Sequence, residues 1–396
     1  MKRKIFHIIT AFQLGGAEKV AFALAKAISS EHYQVSIVTI YKEYTPFAQE
    51  LRDELAKNHI GWFELGISKT NTLKRYAGLI VSSIELTRLL LKEKPEVIHS
   101  HTDFPDMVLA NALRLSAILN HSYSPHIVRT IHNTKLLWPH YPNVGKWVEG
   151  TFISDSVVHI SKDVEQAYLA MRSTLGLNPS PHQTFITNGV LVPSKVPERS
   201  GPNALKRLGL PVHEKKLKLL FAGRFVEQKG FDILLDALSR LSKEDQNRIH
   251  VYAFGAGHQE KLLNEKAYSA LPVSIHTPVN NLNNLYPVFD YVIMPSRFEG
   301  LPLVALEAAA SGVPVIGSDA PGLREALPNS WTLQFANNSV EELVKKILLI
   351  LNKPKMRDAL SAESYDFVAK NFNLLKSIDR YKQLYSTKSL RSLHEA

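Results

Sequence analysis

The chain has no cysteine, which excludes a disulfide framework, a thiolate metal site and a cysteine nucleophile, and suits a reducing compartment. It has no run of 18 or more uncharged apolar residues, so no segment is expected to span a bilayer. The opening MKRKIFHIITAF places bases before an apolar run, as a signal peptide does. That run is too short, contains His7 and lacks a small-residue cleavage site, so it reads as a first buried strand. Low-complexity tracts and short repeats are missing. So are Lys/Arg-rich runs, zinc-finger spacings and RNP-type motifs, which argues against nucleic acid as a partner.

At 396 residues the chain exceeds the ~250–300 at which single cores stop growing, so two domains are expected. An apolar content of 45% and a charged content of 21% are those of an ordinary globular protein. The net charge is +10: residues 1–195 carry 21 basic and 16 acidic side chains, and residues 196–396 carry 26 and 21. So even an excess fits a solvated surface, an anionic ligand or an acidic membrane surface.

Short Ile/Val-rich runs alternate with longer helical patterns, which predicts βαβ units around parallel sheets. In the first half the strand candidates are KIFHIIT, QVSIVTI, EVIHSH, HIVRTIH, SVVHIS and TFITN, with helices over 17–29, 73–93, 105–119 and 161–173. A proline-rich stretch with little periodicity marks a linker at 193–216. The alternation restarts with KLLFAGR, IHVYAFG, VSIHT, YVIMPS and PVIGS, each expected to precede a helix. The expected domains are 1–192 and 217–365, followed by a helical tail over 366–396 that packs back on the first. Two doubly wound halves bind ligands at the carboxyl ends of their strands, so the cleft between domains is the expected site.

FQLGGAEK follows the first strand: Gly15 and Gly16 would let backbone approach a ligand, and the next helix offers its first amides to an anion, or the pair only makes a tight turn. The spaced G-x-G-x-x-G fingerprint is absent, against a dinucleotide enzyme. FAGRFVEQKG places Arg224 and Lys229 beyond a strand end, a planar fork and a point charge suited to a diphosphate. FGAGHQEKLL repeats the device with Gly255 and Gly257, carrying a nucleotide base or phosphate against backbone or merely turning. His99 and His101 share a face at one strand end and His132 ends another; no clustered acid completes a metal shell around them. TKLLWPHYPNVGKWVEG interleaves Trp138, Tyr141 and Trp147 with Lys135 and Lys146, which suits a membrane interface, a sugar-stacking loop or core packing. The basic-ended 74–94 helix could lie on an anionic surface. In PSRFEGLPLVALEAAASG, Glu299 has a basic neighbour, Arg297, whereas Glu307 stands in an apolar segment with none. An unpaired buried carboxylate costs several kcal/mol, so Glu307 requires a partner.

Taken together, GGAEK, TIHN, ITNGV, GRFVEQKG and PSRFEGLPLVALEAAASGVPVIGSDAPG resemble the family-4 retaining glycosyltransferases over nearly the whole chain, the last element carrying the E-x7-E motif. The resemblance implies an α/β chain of GT-B architecture, two Rossmann-like domains with parallel sheets facing each other across a cleft. It implies that Glu307 accepts hydrogen bonds from the ribose of a nucleotide-diphosphate-sugar donor and that Glu299 contacts the donor sugar. Leu303 and Val304 would offer amides to the diphosphate, Arg224 and Lys229 would neutralise it, and Gly16 would meet it from the first domain. His132 would lie at the reaction centre, with His101 and Asp103 facing the acceptor. Pro302, where the family commonly has Gly, fits the first helical turn; Leu191 stands where Asp usually follows NGV. Nucleotide-sugar enzymes that use Mg²⁺ commonly carry Asp-x-Asp; none is present here, so neither a cofactor nor a divalent metal is expected. The expected acceptor is a glycan or polyprenyl-diphosphate-linked glycolipid, and the expected place is the cytoplasm, at the inner face of the cell membrane, in surface polysaccharide synthesis. The competing readings are a nucleotide-sugar epimerase and a non-catalytic sugar-nucleotide-binding protein.

Overall fold

The computed structural model describes residues 2–387 apart from 14, 31, 69–71, 121, 154, 201–202, 208, 214 and 280–281. Two compact units result: residues up to Thr187 together with those from Ser377, and Asn188–Lys376. Residues 193–216, read as linker, carry a short helix, Asn203–Arg207, and lie within the second unit.

The first unit is built on seven parallel strands: β1 (Arg3–Ile9), β2 (Tyr33–Thr39), β3 (Gly61–Glu64), β4 (Val97–Ser100), β5 (His126–Ile131), β6 (Ser156–His159) and β7 (Gln183–Phe185), in the order β3-β2-β1-β4-β5-β6-β7. The register pairs Ile5 with Val35 and His7 with His99. β4, β5 and β6 are buried along their whole length, the pattern of a parallel sheet covered on both faces. Local chemistry sets the helix starts. Thr45 caps Pro46–Lys57, accepting from the Ala48 amide with proline in the first turn, and Ser161 caps Lys162–Thr174 from the Val164 amide.

In the second unit six parallel strands follow the same plan: β8 (Leu217–Ala222), β9 (Ile249–Phe254), β10 (Val273–His276), β11 (Tyr291–Met294), β12 (Val315–Ser318) and β13 (Gln334–Phe335), in the order β10-β9-β8-β11-β12-β13. Not every strand here leads into an α-helix. 3₁₀ turns follow β9 (His258–Asn264), β10 (Leu282–Asn284) and β12 (Arg324–Ala326). The edge strands β3 and β13, of four and two residues, escape the sequence pattern because neither is long enough to show a period. The supposed loop 134–150 is also largely helical, with a 3₁₀ turn at Trp138–His140 and a helix at Pro142–Thr151. Proline stands in the first turn of each, which disguised them as loop.

Four elements of the first unit meet on one buried cation. Arg129 of β5 donates from Nε to Asp106 Oδ2 (2.9 Å) on the Asp103–Leu119 helix and from Nη2 to Glu149 Oε1 (2.7 Å) on Pro142–Thr151. Glu149 Oε2 accepts from Arg172 Nη1 and from the Tyr168 hydroxyl, both at 2.7 Å, on Lys162–Thr174. The Arg129 guanidinium lies 4.5 Å from the Phe152 ring centre. Burial alone would raise the Glu149 carboxyl, but Arg129, Tyr168 and Arg172 hold it below the ordinary range. The helix Leu374–Ser386 joins this unit from Ser377 onward. Its buried Tyr381 and Tyr385 hydroxyls lie 3.1 Å from Thr130 Oγ1 and 2.5 Å from His99 Nδ1, and Ser377 donates to the Thr187 carbonyl (2.9 Å).

Arg129→Met should therefore leave two buried carboxylates with one cation between them and cost about 3–5 kcal/mol. Urea unfolding would measure it; a loss below about 1 kcal/mol would mean that Arg172 suffices for Glu149 and that Asp106 takes up a proton.

Candidate functional site

In the second unit the strand order reverses between β8 and β11, and ligands of doubly wound sheets bind at the strand ends beside such a reversal. The two loops leaving these strands, 223–230 and 295–302, are joined backbone to backbone. The Arg297 amide donates to the Gln228 carbonyl (2.8 Å), and Gln228 Nε2 donates to the Phe298 carbonyl (3.2 Å). Gly230 makes this approach feasible: its φ is +67°, and a Cβ there would lie 2.0 Å from the Pro295 carbonyl oxygen.

The junction brings together Lys229 and Glu299, separated by 70 positions in the chain. Lys229 Nζ donates to Glu299 Oε1 at 2.6 Å, and Ser296 Oγ donates to the same oxygen at 2.8 Å. Arg224 stands exposed at the rim, donating to Gln228 Oε1 (3.1 Å). Arg297, the sequence neighbour offered as Glu299's partner, is instead held by both oxygens of Asp232 (2.9 and 2.7 Å). The fork matches that carboxylate in bidentate geometry, and Lys229 is left for Glu299.

Glu307, 9% exposed, lies on the helix Leu303–Ala310. Its Oε2 accepts from the Tyr286 hydroxyl at 3.0 Å. Burial, and then the nearby carboxylate, raise the Tyr286 hydroxyl well above its ordinary pKa, so it stays a donor. Thus the chain itself supplies a partner for this acid. Pro302 is the N-cap, one position before the first helical turn, and the first bonds to its carbonyl come from Ala305 and Leu306. The Leu303 and Val304 amides precede these bonds and have no intrahelical acceptor. Gly255 and Gly257 have a packing reason of their own. A Cβ on Gly255 would sit 1.9 Å from the Gly223 carbonyl oxygen, and one on Gly257 2.4 Å from that of Phe225.

In the first unit, Gly15 is the N-cap of the helix Gly16–Ile28. The Glu18 side chain folds over Gly15, where a Cβ would lie 2.0 Å from Oε2, and accepts from Gln13 Nε2 (3.1 Å). Gly16 is exposed and nothing lies within 4 Å of where its Cβ would be, so a ligand can approach its backbone. At the carboxyl ends of β1, β4 and β5 the imidazoles connect in a row. His7 Nδ1 lies 2.9 Å from His101 Nε2, and His101 Nδ1 lies 3.2 Å from His132 Nε2. His101, expected on the acceptor side, is fully buried with a histidine on either flank, and its amide continues the sheet by bonding to the Ile8 carbonyl (3.2 Å). Asp103 and His132 keep partial exposure. Burial pushes the Asp103 carboxyl up to about 7.

Among the described residues, His7, His99 and His101 have metal-ligand spacing, with ligand atoms within 4.8 Å of one another. Hydrogen bonds already occupy most of these nitrogens. Both His99 nitrogens are engaged by hydroxyls, Tyr385 at 2.5 Å and Thr130 at 2.7 Å, and both His101 nitrogens by imidazoles. Sequence reasoning missed His7 and Tyr286. His7 stands between Ile5 and Ile9 on its strand face, and no motif surrounds Tyr286.

Residues 14–189 match the model of the glycosyltransferase family 4 domain, and residues 206–367 that of glycosyl transferases group 1. A UDP-Gal:alpha-D-GlcNAc-diphosphoundecaprenol alpha-1,3-galactosyltransferase of Escherichia coli is 23% identical over 405 residues, covering 97% of each chain. An uncharacterized glycosyltransferase of Haemophilus influenzae is 24% identical over 400 residues, covering 96% of this chain and 99% of its own. Among solved structures, Anabaena HepE in complex with UDP-glucose shares the fold with a TM-score of 0.75 at 17% identity, over 97% of this chain and all of its own.

The buried imidazoles at these strand ends make acid destabilising. Burial lowers His7 to about 3 and lowers His99 and His101 well below their ordinary value. The unfolded chain, with histidines near 6.5, binds more protons between these values, so this stability is complete above about pH 6.5 and lost as the pH falls. At pH 5.5 each fully neutral ring accounts for about 1.4 kcal/mol. Asp103, shifted upward, acts in the opposite sense between about pH 4 and 7 and offsets part of the loss. Urea unfolding at pH 7.5 and 5.5 should show a net loss of roughly 2–4 kcal/mol in the first unit; equal midpoints would show that the rings are charged in the fold.

Proposed function

The chain belongs to the family-4 glycosyltransferases, and from that premise we propose that it is a retaining, metal-independent transferase, moving a sugar from a nucleotide-diphosphate donor to a glycan or polyprenyl-diphosphate-linked glycolipid acceptor in surface polysaccharide synthesis. The observation that carries the reading is the junction at the β8/β11 reversal. There Lys229, Glu299 and the exposed Arg224 gather beside the open amides of Leu303 and Val304. Two cations and a helix N-terminus favour a diphosphate, and Glu299 and Glu307 suit hydroxyls. The E. coli relative's lipid-linked substrate supports the acceptor class.

In the proposed reaction the bond between the sugar's anomeric carbon and the diphosphate oxygen breaks, and the acceptor oxygen bonds to that carbon on the same face. The acceptor proton passes to the departing diphosphate, so no protein nucleophile is required. Arg224 and Lys229 stabilise the charge that develops on the leaving group, each such donor contributing ~3–4 kcal/mol. Glu307 holds the ribose equally before and during the reaction, whereas Glu299 acts beside the carbon where charge changes. Gly255 and Gly257 would border the nucleotide, and in the first unit Gly16 offers exposed backbone to a ligand.

A second element of the proposal is peripheral attachment to an anionic bilayer at the cytoplasmic face. Among the described residues no helix is long and apolar enough to cross a membrane. On the helix Thr72–Glu93, Tyr76, Ile80 and Ile84 are exposed at four-residue spacing, with Arg88 next in the row. The helix packs against Asp103–Leu119, where Leu115 and Ile118 are exposed; beside it a shallow groove is lined by Met107, Asn111, Asn143, Val144 and Trp147. Trp138 is buried and has no part in this surface. Apolar side chains bordered by Arg88, Arg114 and Lys146 suit the interface of an anionic leaflet, each cation contributing about 1 kcal/mol.

Nucleoside diphosphate release from a panel of sugar nucleotides should depend on a lipid-linked acceptor and persist in excess EDTA. Glu307→Gln, which keeps an acceptor for Tyr286, should raise the donor KM roughly 10-fold. Glu299→Gln should lower turnover, and Arg224→Ala should lower it about 100-fold. Epimerised donor, or binding without turnover, would favour the competing readings, and loss in EDTA restored by Mg²⁺ would refute metal independence. Vesicle co-sedimentation should succeed with anionic lipid, weaken in high salt, and drop for Ile80→Asp; equal partition to neutral vesicles would remove the attachment.

A further inference from the structure

We propose that His7 and His101 are positioning residues that lock His132 in a single tautomer, with the proton on Nδ1, so that His132 meets its ligand as a hydrogen-bond donor and not as a base. The inference rests on the reading above only in taking His132 as a group that meets the sugar or its acceptor.

A neutral imidazole has one N–H and one lone pair. Each ring-to-ring contact, 2.9 Å for His7 Nδ1 to His101 Nε2 and 3.2 Å for His101 Nδ1 to His132 Nε2, needs one proton between its two nitrogens. Burial keeps the rings uncharged, and the groups closest to His101 are other histidines, with no carboxylate in hydrogen-bond contact to compensate an imidazolium. Two settings remain. In one, all three protons sit on Nδ1: His7 donates to His101, His101 donates to His132, and the His132 Nδ1–H faces away from the row. In the other, all three sit on Nε2 and His132 presents a lone pair.

His7 decides between them. Its Nε2 is buried and has no hydrogen-bond partner, so the row ends there. The first setting leaves a bare lone pair at that dead end. The second leaves a buried N–H without an acceptor, the rarer and costlier condition. His99 does not join the row, since its nitrogens are taken by the Tyr385 and Thr130 hydroxyls. For His132 to accept a proton at Nδ1 while already protonated there is chemically barred, and passing the charge inward would strand it at His7. The acceptor's proton therefore leaves by another route, in the reading above to the diphosphate oxygen.

The test is nitrogen NMR of the full chain labelled with ¹⁵N-histidine at pH 7, with no substrate present, using His132→Asn to assign the His132 signals. Two-bond nitrogen–proton correlations should show His132 protonated at Nδ1 and bare at Nε2; protonation at Nε2, or a charged ring, would overturn the proposal. His7→Asn, whose amide supplies a donor where Nδ1 stood, should keep that pattern. His7→Leu should give a mixture of tautomers. Kinetically, His7→Leu should lower kcat roughly 10-fold with donor KM unchanged, and His7→Asn should stay within about 2-fold. An unchanged His132 tautomer in folded His7→Leu would also overturn the proposal; if that variant fails to fold, the wild-type spectrum decides alone. The expected spectrum in a chain without transferase activity would sink the proposed function and leave this inference standing.

Discussion

The charge of Arg129 is the constraint around which the first unit is arranged. A guanidinium this deep in a sheet is tolerable only if carboxylates come to it, and they come from two helices, Asp103–Leu119 and Pro142–Thr151. Arg172 then answers the surplus charge of Glu149. One consequence reaches the functional end of the sheet. The helix that carries Asp106 begins at Asp103, directly after β4 and His101, so an ion pair in the interior sets where that strand end can point. Such a network adds less net stability than its attractions suggest, because desolvation opposes them. What it does impose is a single way of seating three helices.

The second unit relies instead on close backbone packing around its site. Its loops are held by backbone contacts so close that a methyl group would not fit at Gly230, Gly255 or Gly257. Gly322 belongs to the same scheme, since a Cβ there would lie 2.4 Å from the Glu299 carbonyl oxygen. Glu299 is thereby fixed from both sides, by its main chain against Pro321 and by its carboxylate against Lys229 and Ser296. Rigid loops of this kind present charged groups without reorganisation when a ligand arrives.

Much of this was legible in the sequence. Parallel strands rich in Ile and Val advertise themselves because both faces are covered, which is why eleven of the strands could be read directly. The Lys229–Glu299 pairing was not legible from spacing, since Arg297 is nearer in the chain and chemically the better fork; the bidentate fit of Asp232 decides the matter in three dimensions. Glu307 posed a question that local sequence could not answer, because Tyr286 lies 21 positions away in a short turn with no periodicity. His7 was hidden by the strand it helps to form, reading as one polar residue in an apolar run. Its meaning emerges only when β4 is laid beside β1 and their histidines face one another.

The return of the last helix has a temporal consequence. His99 and its partner Tyr385 are separated by 286 residues, which a ribosome adding ~5–20 residues per second spans in roughly a quarter of a minute to a minute. Once β7 has been made, and for the rest of that interval, the first sheet is complete in strands yet lacks the side chains that cover Thr130 and His99. The whole second unit can be made and folded before the first is closed. Nascent chains therefore pass through a period in which the strand ends bearing the histidines are open on one side, and the final dozen residues of the last helix convert a half-covered sheet into a sealed one.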